Sequence, residues 1–411
     1  MKFWFRIPLW QRVIGALILG IALGLVWGPG AESIKWIGDF FIRAIRMLVV
    51  PLIFFSLVAG VAALGDIKKL GRVGGRALLL FLITAFLSVG LGLLLGTLVT
   101  PGAGLVLTLP AGAVVPTPPE TSVTQMILAM IPANPVETMG KGDVLPLIVF
   151  AILFGIGILM AGEEGGPVAR GMDAAAIVMQ KMTVLVMELT PFGVFALMAW
   201  VAGTFGFDAL LPLASLVGLV YFGCFLIIIV IYGGLLKFVA RVPVMDFFRG
   251  MIDAMAVAYS TASSNATLPV TLRCVQRNLG VSRSVSSFVV SLGATINMNG
   301  TAMYLGLATL FGAQIFGVTL DASDYVMIMI TATLGAIGAA GIPGAGLIMM
   351  GLVFSSVGVP LETIAFVAGV DRIMDMMRTT TNITGDAAVA VAVARMTGDL
   401  NVEEFESADD V

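Results

Sequence analysis

The stretch Asp371-Arg372-Ile373-Met374-Asp375-Met376-Met377-Arg378-Thr379-Thr380-Thr381-Asn382-Ile383-Thr384-Gly385-Asp386 decides how this chain is read. It lies inside an apolar segment running from about Leu361 to Ala394. On a helix, at about 100° per residue, Asp371, Asp375, Arg378, Thr379, Asn382 and Asp386 share one face about 100° wide. Ile373, Met374, Met377, Ala388 and Val391 fall on the opposite face. A charged stripe on a helix of membrane length is costly in hydrocarbon, so it should face protein or a wet cavity. One reading is a row of structural ion pairs, with Arg378 held by Asp375 or Asp371. The charges do not balance, however. Three carboxylates face Arg378, with Arg372 expected nearer one end. The surplus negative charge calls for cations from outside the protein.

Composition sets the class. Hydrophobic residues make up 59% of the 411 and charged residues 11%, against about a quarter charged in soluble domains. The chain reads as a polytopic membrane protein embedded in the lipid bilayer. The net charge of −3, with basic residues scattered in short loops, gives no sign of a nucleic-acid partner. The two cysteines, Cys224 and Cys274, offer neither a disulfide framework nor metal spacing. With no histidine, imidazole proton relays, His metal sites and Ser-His or Cys-His catalysis are excluded. The N-terminus lacks a small-residue cleavage site and is expected to be a retained first helix.

Apolar runs are expected as spans at about Val13–Trp27, Ile37–Leu64, Ala77–Val99, Ala174–Ala202 and Leu210–Val239. Gly65-Asp66-Ile67-Lys68-Lys69-Leu70-Gly71-Arg72 reads as a basic loop. Residues 101–121 hold five prolines and no lysine or arginine. Residues 122–162 are broken by Pro132, Pro135 and Pro146 and should cross an odd number of times. Basic segments at the N-terminus and at 65–76, 237–249 and 273–283 then fall on one side. The positive-inside rule places them, both termini and the acidic tail from Asp399 in the cytoplasm. Eight net crossings fit.

Two stretches do not fit simple spans. Residues 245–272 carry Ser260-Thr261-Ala262-Ser263-Ser264-Asn265-Ala266-Thr267 and are bracketed by cytoplasmic basic segments, so they must enter and leave by one face. Residues 325–357 behave alike from the other side, broken by Gly335-Ala336-Ile337-Gly338-Ala339-Ala340-Gly341-Ile342-Pro343-Gly344-Ala345-Gly346. Each is followed by a polar-marked span: Asn297-Met298-Asn299-Gly300-Thr301 after the first and the opening stretch after the second. Hairpin, span, hairpin, span with opposite entry sides is the pattern of an inverted repeat with its site at the midplane. The glycine stretch could instead be a small-xxx-small packing motif. A phosphate loop is disfavoured because GxxxxGK[ST] is absent. The serine tip suits a plain hydroxyl-capped loop or an anionic ligand group.

On these residues, together with Met47-Leu-Val-Val-Pro-Leu-Ile-Phe-Phe-Ser-Leu57, Thr267-Leu-Pro269 and Gly293-Ala-Thr-Ile-Asn-Met-Asn-Gly-Thr301, the chain resembles the sodium:dicarboxylate symporter family. These proteins are the bacterial and archaeal relatives of excitatory amino acid transporters. The resemblance implies an all-α fold of eight transmembrane helices and two re-entrant hairpins, assembled as a homotrimer and working as an elevator. It divides the chain into scaffold at 1–75 and 102–205, a moving domain at 76–101 and 206–396, and a tail at 397–411.

The resemblance also implies residue roles. Arg378 would hold a side-chain carboxylate and Asp375 the substrate ammonium. Thr379, Asn382, Ser263 and Ser264 would take the α-carboxylate, with Thr301 and Gly341 lining the site. Asp386, Asn297 and Asn382 would hold one sodium ion. Thr295 with carbonyls around Ala336, Ile337 and Ala339 would hold a second. Asp371 would support the cation region. The chain departs from the family at Asn299, where an aspartate is usual, and at Phe81 and Ala85, where a tyrosine and a hydroxyl residue are common. Asn299 and Thr84 therefore mark a third sodium site with a depleted ligand set, since an amide is a weaker hard-cation ligand than a carboxylate. Asn265 replaces a tip serine.

The function expected is sodium-coupled uptake of aspartate or glutamate, with fewer than three sodium ions or with protons. Alternatives are a C4-dicarboxylate carrier, which Asp375 argues against, a neutral amino acid carrier, which Arg378 argues against, and an anion-conducting channel. No nucleophile–base pair or metal cluster points to an enzyme. Counting Asp371, Asp375 and Asp386 against Arg378 alone leaves a charge of minus two, which with an acidic substrate needs three cations for neutrality.

Overall fold

The computed structural model describes residues 7–62, 67–105, 128, 131–141, 144–339, 341 and 343–406. Among them the secondary structure is helical apart from an isolated bridge, Val281 to Leu400. Most of the proline-rich 101–121 region, residues 122–127, 129–130 and 142–143, and the end of the acidic tail lie outside the described residues; of the stretch 122–162, two helices, Pro135–Lys141 and Val144–Met160, are described.

The first half of the chain begins with α1 (Leu9–Trp27), a tight turn (Gly28–Ile34), α2 (Lys35–Ala62) and α3 (Ile67–Val99). Helix α3 starts ten residues before the expected Ala77, so the basic loop is helical from Ile67 onward. Lysine, arginine and leucine are good helix formers, and no proline interrupts 67–76, so its three glycines do not stop the helix. After α4 (Pro135–Lys141) and α5 (Val144–Met160) come α6 (Gly166–Met187) and α7 (Thr190–Phe205). The single span expected at 174–202 is therefore two helices, bent by 48°. Pro191 in the first turn of α7 removes a backbone donor and ends the preceding helix. Arg12 of α1 grips the bend, donating to Glu188 at 2.7 and 3.2 Å. Helix α1 lies against α7 because Gly20 and Gly24 let it approach the backbone at Phe195 and Ala199.

The second half starts with α8 (Leu210–Leu226), which continues through π-helical turns at Ile227–Tyr232 and Leu235–Ala240. A first hairpin, α9 (Val244–Thr261) and α10 (Ser264–Arg273), turns at Ala262, whose φ of 51° is left-handed. Next come α11 (Arg283–Ile296) and α12 (Asn299–Phe316), broken between them at Asn297-Met298. A second hairpin, α13 (Ala322–Gly338) and α14 (Ala345–Ser356), precedes the 36-residue α15 (Glu362–Thr397) and the short α16 (Val402–Phe405). Gly344, at φ 79°, restarts the helix in the second hairpin.

Among the described residues, three stretches are helical, long and apolar enough to cross a membrane: 9–62, 73–99 and 207–240. The bent pair 162–205 makes a fourth. Helix α15 is the spine of the second half. From Thr363 to Ala394 every side chain except Ala365 and Ile373 is buried, charged ones included. It packs against α7, α8, α9, α10, α11, α12 and α14. The stripe thus faces protein, as its cost in hydrocarbon requires.

Candidate functional site

The site forms where the two hairpin tips and the break between α11 and α12 meet the middle of α15. The tips touch one another. Ser263 Oγ donates to the Gly341 carbonyl at 2.9 Å, and the Asn265 N–H donates to the same oxygen at 3.0 Å. Ser263 also caps α10 by accepting from the Ala266 N–H at 3.2 Å. Gly341 has no room for a side chain, since a Cβ there would strike the Ala294 carbonyl and lie 3.1 Å from Ser264 Cβ.

Each tip also reaches the stripe. From the second hairpin, the Gly344 N–H donates to Asp375 Oδ2 at 2.9 Å. From the first, the Thr261 carbonyl accepts from Arg372 Nη2 at 3.0 Å. Arg378, fully buried, donates from Nη1 to Asp371 Oδ1 at 2.9 Å and from Nη2 to Asp375 Oδ1 at 2.8 Å. Its guanidinium lies over the Tyr304 ring, 3.9 Å from the centroid, and the Tyr304 hydroxyl donates to Asp371 Oδ1 at 2.8 Å. Gly346 makes room for this stack, because a Cβ there would sit 3.0 Å from Arg378 Nη1. Arg378 Nε has no hydrogen-bond partner. The group is therefore a buried guanidinium fork with unspent donor capacity.

Arg372, next to Asp371 at the start of the stripe, is buried with it. It is only 5% exposed, and its Nε and Nη1 have no hydrogen-bond partner. With the groups in their ordinary ionised forms, three carboxylates (Asp371, Asp375, Asp386) stand against two guanidiniums (Arg372, Arg378). The buried charge of the stripe is minus one, which corrects the minus two counted without Arg372. Arg372 borders the stripe on the helical wheel, and its long side chain reaches the first hairpin, a partner that residue spacing alone does not reveal.

Below Arg378 the stripe changes character. Asn382 Oδ1 accepts from the Gly300 N–H at 2.8 Å, and its Nδ2 meets Met298 Sδ at 3.2 Å. Gly300 allows the start of α12 to lie on the α15 backbone, since a Cβ would be 2.7 Å from the Arg378 carbonyl. Thr379 and Thr301 are buried beside these groups on α15 and α12. One turn on, Asp386 accepts from Asn297 Nδ2 at 2.9 Å, and Asn297 Nδ2 also reaches the Asn382 carbonyl at 3.4 Å. Asn297 Oδ1, wholly buried, has no donor. Gly293 faces Asp386 so closely that a Cβ there would collide with the carboxylate. A buried carboxylate beside an amide oxygen without a donor is an oxygen set suited to a monovalent hard cation.

A second oxygen-lined place lies behind the second hairpin. Ser56, Gly60, Thr295, Ile337, Gly338 and Ala339 enclose a cavity of about 10 Å³, on the order of one water molecule. Thr295 Oγ1 donates to the Leu292 carbonyl at 2.9 Å, which leaves its lone pairs free. Ser56 Oγ, contributed by α2, is buried without a partner. Ala336 does not line this cavity. Its carbonyl accepts the Ala339 N–H at 3.2 Å and so closes the end of α13.

Around Asn299 the arrangement is different. Its Nδ2 donates to Thr84 Oγ1 at 3.0 Å and to the Tyr232 hydroxyl at 2.8 Å. Thr84 Oγ1 itself donates to the Leu80 carbonyl at 2.9 Å. Phe81 and Ala85, both buried, line the same stretch of α3. Tyr232 comes from a π-helical turn of α8, and Gly385 leaves space for its hydroxyl. The sequence reading did not assign Tyr232, Tyr304, Gly293, Gly346 or Ser56. Two tyrosines inside otherwise apolar runs were the available signal, because a buried phenol normally finds a partner.

The profile of the sodium:dicarboxylate symporter family matches residues 9–396. The chain is 35% identical over 405 residues to the proton/sodium-glutamate symport protein of Geobacillus stearothermophilus, covering 96% of each. It is 35% identical to the C4-dicarboxylate transport protein of Bacillus subtilis (strain 168), covering 97% of this chain and 95% of that one. It is 34% identical to the proton/glutamate-aspartate symporter of Escherichia coli (strain K12), covering 94% and 92%. On a match of this extent, with the hairpins and stripe placed as described, the chain belongs to the sodium:dicarboxylate symporter family.

Proposed function

We propose that this protein is a multi-pass carrier of the cell membrane that takes up aspartate or glutamate by symport with sodium. Its two termini face the cytoplasm. It works as a homotrimer in which 76–101 and 206–396 move as an elevator against a scaffold of 1–75 and 102–205. The observation that carries the reading is the Arg378 fork, held between Asp371 and Asp375 at the point where both hairpin tips meet α15.

The chemistry follows from the groups present. A substrate side-chain carboxylate takes the planar donors of Arg378 in place of the two aspartates. Asp375, freed from Arg378, pairs with the substrate ammonium. The α-carboxylate lies against Thr379, Asn382 and the Ser263–Ser264 tip, with Thr301 and Gly341 closing the walls. Cations enter with the substrate because the buried stripe is already negative. Asp386 with Asn297 and Asn382 forms one cation place. Thr295 with the Ile337 and Ala339 backbone forms another. Ala336, whose carbonyl is used within its own helix, contributes less than its neighbours.

The test is uptake of radiolabelled aspartate, glutamate and succinate into proteoliposomes under imposed sodium and pH gradients. Acidic amino acid uptake that follows the sodium gradient is expected. Succinate, which lacks an ammonium for Asp375, should compete weakly. Uptake indifferent to both gradients would refute symport, and a preference for succinate would move the reading to a C4-dicarboxylate carrier.

A further inference from the structure

We infer that two monovalent cations accompany each acidic substrate, and that Arg372 supplies the positive charge a third would bring. The inference rests on the acidic amino acid reading above and concerns its coupling.

Three independent observations converge on this count. The first is charge. The buried set of Asp371, Asp375, Asp386, Arg372 and Arg378 carries minus one, and Arg12, the other buried charged group among the described residues, is paired with Glu188. An acidic amino acid adds minus one. Two cations therefore bring the loaded site to neutrality, and a third would leave an uncompensated positive charge away from water.

The second is the number of places. Buried oxygens without a donor stand at Asn297 Oδ1 beside Asp386, at Ser56 Oγ in the Thr295–Ala339 cavity, and at Asn299 Oδ1, which is left as a lone amide oxygen because the hydroxyls beside it are taken. The third is Asn299. Its amide hydrogens point at the two hydroxyl oxygens, of Thr84 and Tyr232, that a cation beside it would need. Those oxygens are already accepting from an N–H, and the N–H dipole repels a cation. Arg372 is distinct from the substrate reader. Its one hydrogen bond goes to the Thr261 carbonyl of the first hairpin, so it acts on the site through its charge.

The experiment uses the full-length protein in proteoliposomes, with the membrane potential clamped to zero by potassium and valinomycin. The aspartate gradient that stalls net flux is measured at a series of sodium and pH gradients. The sodium and proton exponents should sum to two, so that with pH equal on both sides and sodium as both cations the stalling gradient scales as the square of the sodium gradient. A sum of three would overturn the inference while leaving sodium-coupled aspartate transport intact. Absence of any gradient-driven aspartate flux would instead overturn the transport reading, and the inference with it. Arg372→Lys, which keeps the charge, should retain a sum of two. Arg372→Gln, which leaves the site one charge more negative with no third sodium place, should raise the sum to three through a proton taken up by one of the buried aspartates. An Arg372→Gln carrier that still stalls at two would overturn the role given to Arg372, whatever its rate.

Discussion

Arg378 and Tyr304 form a stacked pair across two helices. The guanidinium carbon lies 3.9 Å from the ring centroid, and the phenol hydroxyl bonds the same Asp371 oxygen that Arg378 Nη1 holds. The ring therefore fixes the plane of the fork, and its hydroxyl fixes one of the fork's partners. Replacing Tyr304 by Phe should keep the stack and remove the hydroxyl, weakening aspartate affinity by about tenfold, near the 1.5–3 kcal/mol range for hydrogen bonds to charged groups. Tyr304→Leu should cost more, because a desolvated cation–π contact adds about 2 kcal/mol. Calorimetric titration of aspartate in detergent distinguishes the two. Equal affinities for both variants would remove the stack from the account.

Removing Arg378 strips the positive partner from two buried aspartates. Arg378→Cys should abolish acidic substrate binding and also lower stability, since breaking a buried pair costs about 3–5 kcal/mol. Adding Asp371→Asn should restore much of the stability and none of the aspartate binding. Thermal unfolding and aspartate binding, measured on the single and double variants, separate the structural loss from the functional one. Recovery of aspartate binding in the double variant would show that Arg378 does not read the substrate.

Gly293 stands against the Asp386 carboxylate with no space for a methyl group. Gly293→Ala should displace that carboxylate and raise the sodium concentration needed for half-maximal aspartate binding by about tenfold. Aspartate affinity at saturating sodium should change little. A titration of binding against sodium checks this, and an unchanged sodium midpoint would place the cation away from Asp386.

The contact between hairpin tips rests on two hydrogen bonds to one oxygen, the Gly341 carbonyl. Ser263→Ala removes the side-chain bond across the tips and the cap on α10, and leaves the Asn265 N–H in place. The tip bond is worth about 1 kcal/mol and the lost cap about 1 kcal/mol more, so tip opening should become at least roughly fivefold more frequent. Hydrogen exchange at 339–346 and 260–266 should accelerate together. Acceleration in one hairpin alone would argue that the tips open independently.

Outside the membrane, Asp321 opens the second hairpin. Its carboxylate accepts from the Ser323 hydroxyl and from the Ser323 and Asp324 N–H groups, which hold it below the usual carboxylate range. A depressed folded-state value gives stability that is present above the ordinary carboxylate pKa. That stability is lost as pH falls through the folded value. Exchange at 322–326 should therefore rise on acidification below that range, and Asp321→Asn should remove the acid dependence.

The membrane class, the hairpins and the stripe were legible because each rests on local pattern: apolar length, glycine and serine clusters, and helical spacing. The bend at Glu188–Leu189 was not legible, because an apolar run around Pro191 reads alike whether the helix kinks or stops. The break at Asn297-Met298 was marked as polar without being read as a break.

For the site, the sequence by itself determined that Asp371, Asp375, Arg378, Asn382 and Asp386 share one face. Helical periodicity is a local property of the chain. The tertiary structure alone decided which groups meet that face and which charges count. Arg372 borders the face on the helical wheel, and only the packing of the first hairpin against it, through the Thr261 carbonyl, counts its charge in the buried set. Asn299 reads as a missing carboxylate in sequence. In the fold it is an amide whose hydrogens occupy Thr84 and Tyr232, residues 215 and 67 positions away along the chain. Such pairings depend on the packing of distant helices, and residue spacing within one segment carries no information about them.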